Sequence, residues 1–364
     1  MDSILENKTN TPLSEYGEFG LIDYLTKNNT IKNPSTIFGI GDDAAIIDVQ
    51  QPRLQVVSTD ILTEGIHFDL HYSPLKHIGY KAIASNLSDI AAMNATAEQV
   101  LVSIGISSLF TVEAVSEIYN GIYTCCERYG VDLVGGDTTS SMNGLFICVT
   151  VLGYAKKKKI VKRSTANEND LICVSGDLGA AYMGLLILER EKKVFLENPS
   201  TQPELNDYSY ILERQLKPEP RLDIIAELSK HNILPTSMID ISDGLASEIM
   251  HICNKSEKGC VIYENKIPID TQTYNTALEF GIVPSVAALN GGEDYELLFT
   301  ISHKDYENIQ LIKDVSVIGY IKDAGSGYSM ITQDNKQIEL NAQGWDTYKK
   351  QRLTVSDERL TIND

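Results

Sequence analysis

Apolar and polar positions divide the chain into short strands and helices that alternate along most of its length. Apolar runs that end at turn residues predict strands, whereas the wider apolar spacing over 75–93 predicts a helix rich in small residues. The predicted strands are Ala44–Asp48, Leu54–Thr59, Gln99–Ser107, Asp132–Val134, Leu145–Tyr154, Asp170–Ser175, Ser237–Ile241, Cys260–Tyr263, Leu297–Ile301 and Val315–Tyr320. The predicted helices cover 18–25, 75–93, 111–129, 176–190, 218–231 and 245–253. This mixture predicts an α/β fold without the even succession of βα units found in a Rossmann domain.

The length of 364 residues indicates two domains, because single hydrophobic cores stop growing near ~250–300 residues. Four consecutive lysines, Lys156–Lys159, separate two αβ series and are predicted to form a solvated turn. We therefore predict a loose arm over 1–14, an N-terminal domain over 15–155 and a C-terminal domain over 156–364. Within the last of these, 196–208 is predicted to be a surface excursion.

Composition excludes several classes of protein. A net charge of −19 argues against nonspecific nucleic-acid binding, which needs a cationic face. No run approaches the ~20 apolar residues of a membrane span, and the N-terminus lacks the basic and apolar regions of a secretory signal. A cytoplasmic location is therefore expected. The six cysteines show no C-x-x-C spacing, which predicts buried free thiols and not a zinc site or a disulfide framework.

Carboxylates beside Gly, Ser and Thr recur at widely separated positions. Two carboxylates about 4 Å apart repel by roughly 4 kcal/mol at an effective dielectric constant of ~20. A folded cluster of them needs protons or divalent cations, and Mg²⁺ together with phosphate oxygens is the natural choice. The pattern therefore predicts a magnesium-dependent nucleotide enzyme. The acidic patches are Gly39–Asp43, Ser58–Asp60, Asn86–Asp89, Gly135–Thr138, Asp240–Gly244 and Gly291–Glu296.

Two of the aspartates lie where a structural role is least able to explain them. Asp89 is in a helix predicted to be buried and Asp240 is inside a buried strand, so each is costly without a partner. The other patches have simpler alternatives. Ser58–Asp60 and Ser242-Asp243 could cap helices or form turns, and Gly135-Gly136 could form either an anion nest or a hairpin turn.

Common nucleotide-binding motifs do not account for the sequence. Gly39–Ala44 matches the dinucleotide pattern G-x-G-x-x-G/A, but an extended segment follows it, and paired aspartates would repel a bare pyrophosphate. The chain contains neither G-x-x-x-x-G-K-[ST] nor the H-R-D and D-F-G motifs of protein kinases. Any ATP chemistry here must use another scaffold.

Taken in order, the acidic patches closely resemble those of the thiamine-monophosphate kinases, a family of the aminoimidazole-ribotide-synthetase-like ATP-binding superfamily. The resemblance runs from Glu18-Phe19 to Gly344-Trp345. It implies two α/β domains with mixed sheets and a homodimer in which the N-terminal domains pair strands. It also implies direct in-line transfer of the γ-phosphoryl group of ATP to thiamine monophosphate, with several Mg²⁺ ions and no dedicated side-chain base. The most specific motifs are Gly39–Asp43, Ser58–Asp60 with His67-Phe68, Asn86–Met93, Gly135–Thr139, Asp240–Leu245 and Gly291–Leu297.

The same resemblance implies roles for individual residues. The implied magnesium ligands are Asp43, Ser58, Thr59, Asp60, Asp89, Asp137, Asp240 and Asp243. The implied ATP contacts are Tyr119, Gly136, Asp137, Arg163 and Ser242. The implied contacts to thiamine monophosphate are His67, Glu293 and Trp345. Thr165 replaces the glycine that family members commonly have after Arg-Ser, which leaves the geometry of the Arg163 loop open.

Several alternatives remain open at this point. His67 could be an ordinary loop residue, and Trp345 could serve packing alone. An aminoimidazole ribotide synthetase is the alternative enzyme. A selenide-activating relative is disfavoured because it needs a reactive cysteine near the N-terminus, whereas the first cysteine is Cys125. A magnesium–nucleotide sensor is the non-enzymatic alternative.

Overall fold

The computed structural model describes residues 34, 36–38, 41–49, 52–203 and 205–342. The predicted arm at 1–14, the predicted helix at 18–25 and Trp345 lie outside these residues. Thirteen strands in two mixed sheets and nine α-helices form the described part. The predicted α/β class is therefore confirmed, while the domain boundary near residue 155 stays a prediction.

The first sheet is built from the N-terminal strands. Its strands are β1 (Thr36–Phe38), β2 (Ala45–Ile47), β3 (Leu54–Thr63), β4 (Thr96–Ile106), β5 (Asp132–Ser140) and β6 (Phe146–Ala155). Their order is β1-β2-β3-β6-β4-β5, and all neighbours are antiparallel except the parallel pair β4 and β5. Strand β5 is thus an edge strand, and all but one of its residues are exposed.

Helices α1 (Leu75–Ala92) and α2 (Val112–Tyr129) pack with this sheet in one hydrophobic core. They approach so closely that a Cβ at Gly79 would lie 1.9 Å from the carbonyl oxygen of Ile118, and one at Gly121 would lie 1.8 Å from that of Lys76. Fourteen residues of α1 are buried, which explains why its sequence lacks a polar face. Helix α2 ends at Tyr129, and Gly130 caps it in a left-handed conformation.

The second sheet is formed by the C-terminal strands. These are β7 (Leu171–Ser175), β8 (Ser237–Asp240), β9 (Gly259–Tyr263), β10 (Leu297–Ile301), β11 (Val315–Lys322), β12 (Tyr328–Ile331) and β13 (Gln337–Glu339). Their order is β13-β12-β9-β11-β7-β10-β8, with β12 and β9 as the parallel pair. The accompanying helices are α3 (Ala180–Glu197), α4 (Ser209–Leu216), α5 (Leu222–Lys230), α6 (Leu245–Ser256), α7 (Thr271–Glu279), α8 (Pro284–Asn290) and α9 (Tyr306–Ile309).

Helix α1 also contacts the C-terminal part of the chain. Ala91 and Ala92 pack in one hydrophobic cluster with Met238 of β8 and Phe299 of β10. Small side chains at these positions let the helix lie against both neighbours, since a larger residue would hold them apart. The consequence for function is that α1 carries Asp89 to the carboxyl end of β8.

Some sequence predictions need correction. The Gly135–Thr138 motif lies inside β5 and not in a turn after it, because paired glycines are compatible with an extended edge strand. Strands β1, β12 and β13 and helices α4, α7, α8 and α9 were not predicted. The six cysteines are free, as predicted, and Cys148 differs from the others in being partly exposed. Within the described ranges, we find no helix with the length and apolarity needed to span a membrane.

Candidate active site

Three carboxylates from distant parts of the chain meet at one point. Asp43 precedes β2, Asp89 lies near the end of α1, and Asp240 ends β8. Each offers one oxygen, and these oxygens lie within 4.8 Å of one another. Such an all-oxygen group has the chemistry that Mg²⁺ prefers. The structure therefore brings together three of the aspartates that the sequence indicated as ligands.

Serine hydroxyls orient this group. Ser58 Oγ lies 2.6 Å from Asp89 Oδ2 and 3.0 Å from the carbonyl oxygen of Asp43. Ser88 Oγ donates a hydrogen bond of 2.6 Å to Asp240 Oδ2. Asp60 follows on the same face of β3 as Ser58, and its main-chain N–H donates to Asn86 Oδ1 at 3.2 Å. Predicted ligands and their neighbours on α1 therefore hold one another in place.

The electrostatics of the group favour bound cations. Burial raises the pKa of Asp89 well above its ordinary value, and the charges of Asp60, Asp240 and Asp43 raise it further. Burial and the charge of Asp43 raise the pKa of Asp240 to about 7. Burial and the neighbouring carboxylates therefore disfavour the ionised forms of Asp89 and Asp240. A divalent cation would supply the missing compensation, so the residues fit Mg²⁺.

Arg163 contacts this group from the segment before β7. Its Nη2 lies 2.6 Å from Asp43 Oδ1, and its main-chain N–H donates to Asp42 Oδ2 at 3.2 Å. Burial and the charge of Asp43 raise the pKa of Asp42 to about 7, against the lowering effect of Arg163. Thr165 fits the loop without strain, since its φ is not positive and its hydroxyl donates to the carbonyl oxygen of Thr236 at 2.6 Å. The replacement of the common glycine therefore leaves Arg163 beside the carboxylates.

The acidic segment before β10 runs alongside the loop after β8. Ile241 N donates to the carbonyl oxygen of Glu296 at 2.7 Å, and Glu293 N donates to that of Ser242 at 2.7 Å. Gly292 is required for this approach, because a Cβ there would lie 2.5 Å from the oxygen of Ser242. Glu293, an implied substrate contact, is thereby placed next to the loop that carries Asp243.

Two buried charged residues near the site were not indicated by the sequence. Glu248, in the first turn of α6, accepts a hydrogen bond of 2.9 Å from Asp243 N, and its Oε2 has no hydrogen-bond partner among the described residues. Lys81 of α1 donates to Glu293 Oε2 at 2.8 Å. An acidic residue early in a helix is a common capping feature, and a single lysine inside a helix normally indicates a solvated side. Neither signal points to a site without the three-dimensional contacts.

Other predicted residues lie away from the three carboxylates. Thr59 points to the opposite face of β3, where its hydroxyl donates to the carbonyl oxygen of Val149 at 2.9 Å, as the two-residue period of a strand requires. Gly136 and Asp137 are exposed on β5, and β6 and β4 separate β5 from β3. Strands β3 and β5 are therefore three strand spacings apart, a distance of roughly 14 Å. Within one chain, Asp137 is therefore not brought to the site.

Tyr119 and His67 lie in separate surroundings. Tyr119 lines an open, largely apolar groove of about 410 Å³ together with Ile106, Phe110 and Tyr123. His67 Nδ1 accepts a hydrogen bond of 3.0 Å from Thr63 N, so its proton in the neutral form is on Nε2. His67 belongs to the loop that follows β3.

Comparison with known protein families gives this geometry a context. Residues 41–155 match the family described as AIR synthase related protein, N-terminal domain. That range contains Asp43, Ser58, Asp60 and Asp89, the residues of the site that come from the N-terminal part of the chain.

Curated relatives align with nearly the whole chain. The thiamine-monophosphate kinase of Bacillus subtilis is 33% identical over 339 residues, covering 91% of this chain and 99% of the relative. That of Buchnera aphidicola subsp. Schizaphis graminum is 36% identical over 344 residues, covering 92% and 99%.

Solved structures agree with the sequence matches. AaThiL complexed with AMPPCP and TMP has a TM-score of 0.80 and 29% identity, covering 94% of this chain and all of that one. Thiamine monophosphate kinase from Aquifex aeolicus has a TM-score of 0.70 and 28% identity, covering 88% and 98%. Hydrogenase maturation protein HypE in complex with ATP, at 18% identity and a TM-score of 0.66 over 93% and 99%, shares the fold.

Proposed function

Since the chain belongs to the thiamine-monophosphate kinase family, we propose that it transfers the γ-phosphoryl group of ATP in line to thiamine monophosphate, with Mg²⁺ held by Asp43, Asp89 and Asp240. ATP-dependent phosphorylation of thiamine monophosphate is the activity of this chain. The relative with AMPPCP and TMP bound supports the pairing of an ATP-type donor with this acceptor. The proposal covers the route of transfer, the metal and the ligating residues.

The acceptor needs little help from a side-chain base. A phosphate monoester has its second pKa near ~6, so it is mostly dianionic at pH 7. One of its oxygens bonds to the γ-phosphorus while the bond from that phosphorus to the β-phosphate oxygen breaks, and ADP leaves. When bound, Mg²⁺ would neutralise the phosphate oxygens and orient the two groups for this displacement. The main barrier is repulsion between two polyanions, which is why the metal site matters more than a base.

The observation that carries the proposal is the meeting of the three carboxylates within 4.8 Å. Ser58 and Ser88 fix the orientation of two of them. Arg163, held beside Asp43 at 2.6 Å, places a guanidinium where phosphate oxygens would come. The proposed site therefore combines oxygen ligands for cations with a positive group for the ATP phosphates.

The substrate side of the site is proposed to include Glu293 and His67. Glu293 lies beside the loop of Asp243 through the hydrogen bond from its N–H to Ser242. A carboxylate there suits the cationic ring of thiamine, and an aromatic residue such as Trp345 would stack on that ring. Trp345 lies outside the described residues, so its role rests on the family resemblance alone.

We further propose a homodimer through the outer face of the first sheet. Ile61, Cys148, Ser103 and Asp137 form one row across β3, β6, β4 and β5. Ile61 is 53% exposed on this face, and β5 offers an unpaired edge. A second copy covering the face would bury these groups. Asp137 would then serve the site of the second copy, which accounts for its distance from the carboxylates of its own chain.

The reaction is tested by incubating purified protein with Mg-ATP and thiamine monophosphate and separating the products by chromatography. We expect thiamine diphosphate and ADP in equal amounts, and no ATP consumption with the aminoimidazole ribotide precursor. An acid-precipitable protein carrying label from [γ-³²P]ATP during turnover would contradict direct transfer. Turnover that persists after chelation of all divalent cations would contradict the metal proposal.

The shared site is tested by mixing two inactive variants. Asp89→Asn and Asp137→Asn copies, unfolded together and refolded as a mixture, should regain up to a quarter of wild-type activity, because half of the dimers are mixed and each of these contains one intact site. No recovery in a mixture shown to contain mixed dimers would mean that Asp137 acts within its own chain. A monomer by light scattering would overturn the dimer itself.

A further inference from the structure

Lys81 is a buried lysine with three oxygen partners. It is 3% exposed in the middle of α1. Its Nζ lies 2.8 Å from Glu293 Oε2, 3.1 Å from the carbonyl oxygen of His67 and 3.3 Å from that of Gln215. Three acceptors match the three protons of an ammonium group. The three acceptors therefore replace the water that the ammonium group loses on burial. A buried lysine in a helix finds such a set of acceptors only where neighbouring segments supply them.

These partners come from segments that are far apart in the sequence. His67 follows β3, Gln215 is near the end of α4, and Glu293 precedes β10. His67 and Glu293 are also the two described residues assigned to the thiamine side of the site. One ammonium group thus sets the distance between both substrate-contacting segments.

Glu293 is held in an unusual conformation. Its φ of +64° lies in the left-handed region, as does the +52° of Tyr295 two residues later. Residues other than glycine keep such conformations only when their surroundings impose them, and they concentrate at functional sites. Lys81 Nζ and Gln215 Nε2 both donate to Glu293 Oε2, at 2.8 and 3.0 Å. The carboxylate is thus fixed through one oxygen.

Exposure differs across the ion pair. The side chain of Lys81 is 4% exposed, whereas that of Glu293 is 23% exposed. The ammonium is buried behind the carboxylate, and the carboxylate remains accessible to a ligand. This arrangement places the buried ammonium as a support behind a carboxylate that a ligand can reach.

We propose that Lys81, assisted by Gln215, is a positioning residue that fixes Glu293 and the His67 loop for a cationic heteroaromatic substrate. The inference rests on the proposed function, which supplies that substrate as thiamine monophosphate. Lys81 does not touch the substrate in this proposal. It determines where the carboxylate stands, so its loss should affect binding of the thiamine side and not of ATP.

The test compares Lys81→Met with wild type and with Lys76→Met, which removes an exposed lysine from the same helix. Lys81→Met should raise KM for thiamine monophosphate about tenfold, while kcat and KM for ATP change less than twofold. Lys76→Met should leave all three constants unchanged. A fall in KM would mean that the ammonium acts by weakening the attraction of Glu293 for a cation, and this would overturn the positioning role.

A double-mutant cycle separates positioning from packing. Glu293→Gln should raise KM for thiamine monophosphate as much as Lys81→Met does, and the double variant should show no further rise. The thermal unfolding midpoint of the double variant should be closer to that of wild type than the midpoint of either single variant, because no unpaired buried charge remains. If KM recovered together with stability, the role of Lys81 would be structural only.

Gln215→Met gives a second test if Lys81→Met does not fold. It removes the other donor to Glu293 Oε2 and should raise KM for thiamine monophosphate about threefold, with KM for ATP unchanged. Wild-type protein that makes no thiamine diphosphate would overturn the proposed function, and this inference with it. Active wild type with an unchanged KM for thiamine monophosphate in both Lys81→Met and Gln215→Met would overturn this inference alone.

Discussion

Two buried acidic regions of this molecule differ in how the fold compensates their negative charge. In the first, Asp89 and Asp240 are supported mainly by serine hydroxyls. In the second, Glu296 accepts from Arg214 Nη1 at 2.9 Å and also from Arg221. The first region has one guanidinium, that of Arg163 beside Asp43, for its whole group of carboxylates, whereas the second pairs Glu296 alone with two guanidinium groups.

The second region shows that charge compensation was available to this fold. Asp294 accepts main-chain N–H groups of Gly179 and Ala181 at 2.6 and 3.1 Å, and Arg214 Nη2 lies 3.7 Å from it. These contacts anchor the start of α3 and the strand β10 to each other. Compensated buried carboxylates therefore indicate structure, and uncompensated ones indicate a binding site. Substitutions in the two regions should separate activity from stability.

The largest effect is expected for Asp89→Asn. Losing one carboxylate ligand from the metal site should lower kcat/KM by roughly 10³–10⁴-fold, which corresponds to about 4–5.5 kcal/mol of activation free energy. The free energy of unfolding without metal should stay equal or rise, because one repelling charge is removed. Steady-state kinetics and urea unfolding in a chelator measure the two quantities.

Asp334→Asn is the matched control, since Asp334 is exposed in the turn between β12 and β13. It should keep wild-type kinetics. Wild-type turnover by Asp89→Asn would remove Asp89 from the metal site. A large loss of stability in that variant would mean that its carboxylate is a structural group like Glu296.

Glu296→Gln should give the opposite result. Removing this charge leaves Arg214 and Arg221 without their shared partner, so the free energy of unfolding should fall by about 3 kcal/mol. The variant should retain most of its kcat at a temperature where it is folded. Glu213→Gln on α4 is the control, because its side chain is 67% exposed, and such surface changes stay within about 0.5 kcal/mol. An unaltered urea midpoint for Glu296→Gln would break the comparison between the two regions.

The sequence predicted the first region better than the second. Asp89 and Asp240 stood out because a carboxylate in an apolar segment has no local explanation. Arg214 and Arg221 lie in segments that are ordinary for solvated helices, and their pairing with Glu296 depends on where β10 lies in the sheet. Such non-local contacts are fixed by topology, which local patterns do not contain.

Similar limits apply elsewhere in the molecule. The alternation of buried positions predicted β3, but it did not prevent Thr59 from being grouped with Ser58, although neighbouring residues of a strand face opposite ways. Strand β5 was predicted to end at Val134, six residues too early, because Gly135-Gly136 usually indicates a turn. Lys81 gave no signal at all, since its three partners come together only in the folded chain.

A smaller effect is expected for Ser88→Ala. This change removes the hydroxyl that donates to Asp240 Oδ2 at 2.6 Å and leaves the carboxylate less well oriented. Loss of such a supporting contact typically weakens metal sites, so the Mg²⁺ concentration for half-maximal activity should rise roughly 10–30-fold. Ser85→Ala on the same helix is the control, because Ser85 Oγ donates only to the carbonyl oxygen of Ala82 in the described structure. Equal Mg²⁺ requirements for the two variants would contradict a supporting role for Ser88.

The smallest effect concerns the dependence of stability on pH and Mg²⁺, which is measured without kinetics. Asp240 has a pKa of about 7 when folded, against an ordinary value of 3.8. Because the folded state binds this proton more tightly, its contribution to stability is complete below pH 3.8 and is lost as the pH rises through about 7. In chelator, Asp240→Asn should therefore gain about 2 kcal/mol in free energy of unfolding relative to wild type between pH 5.5 and pH 8. Saturating Mg²⁺ should reverse the difference at pH 8, since only the wild type keeps the full ligand group. Urea unfolding at the two pH values measures this, and a difference that Mg²⁺ does not alter would place Asp240 with the compensated carboxylates.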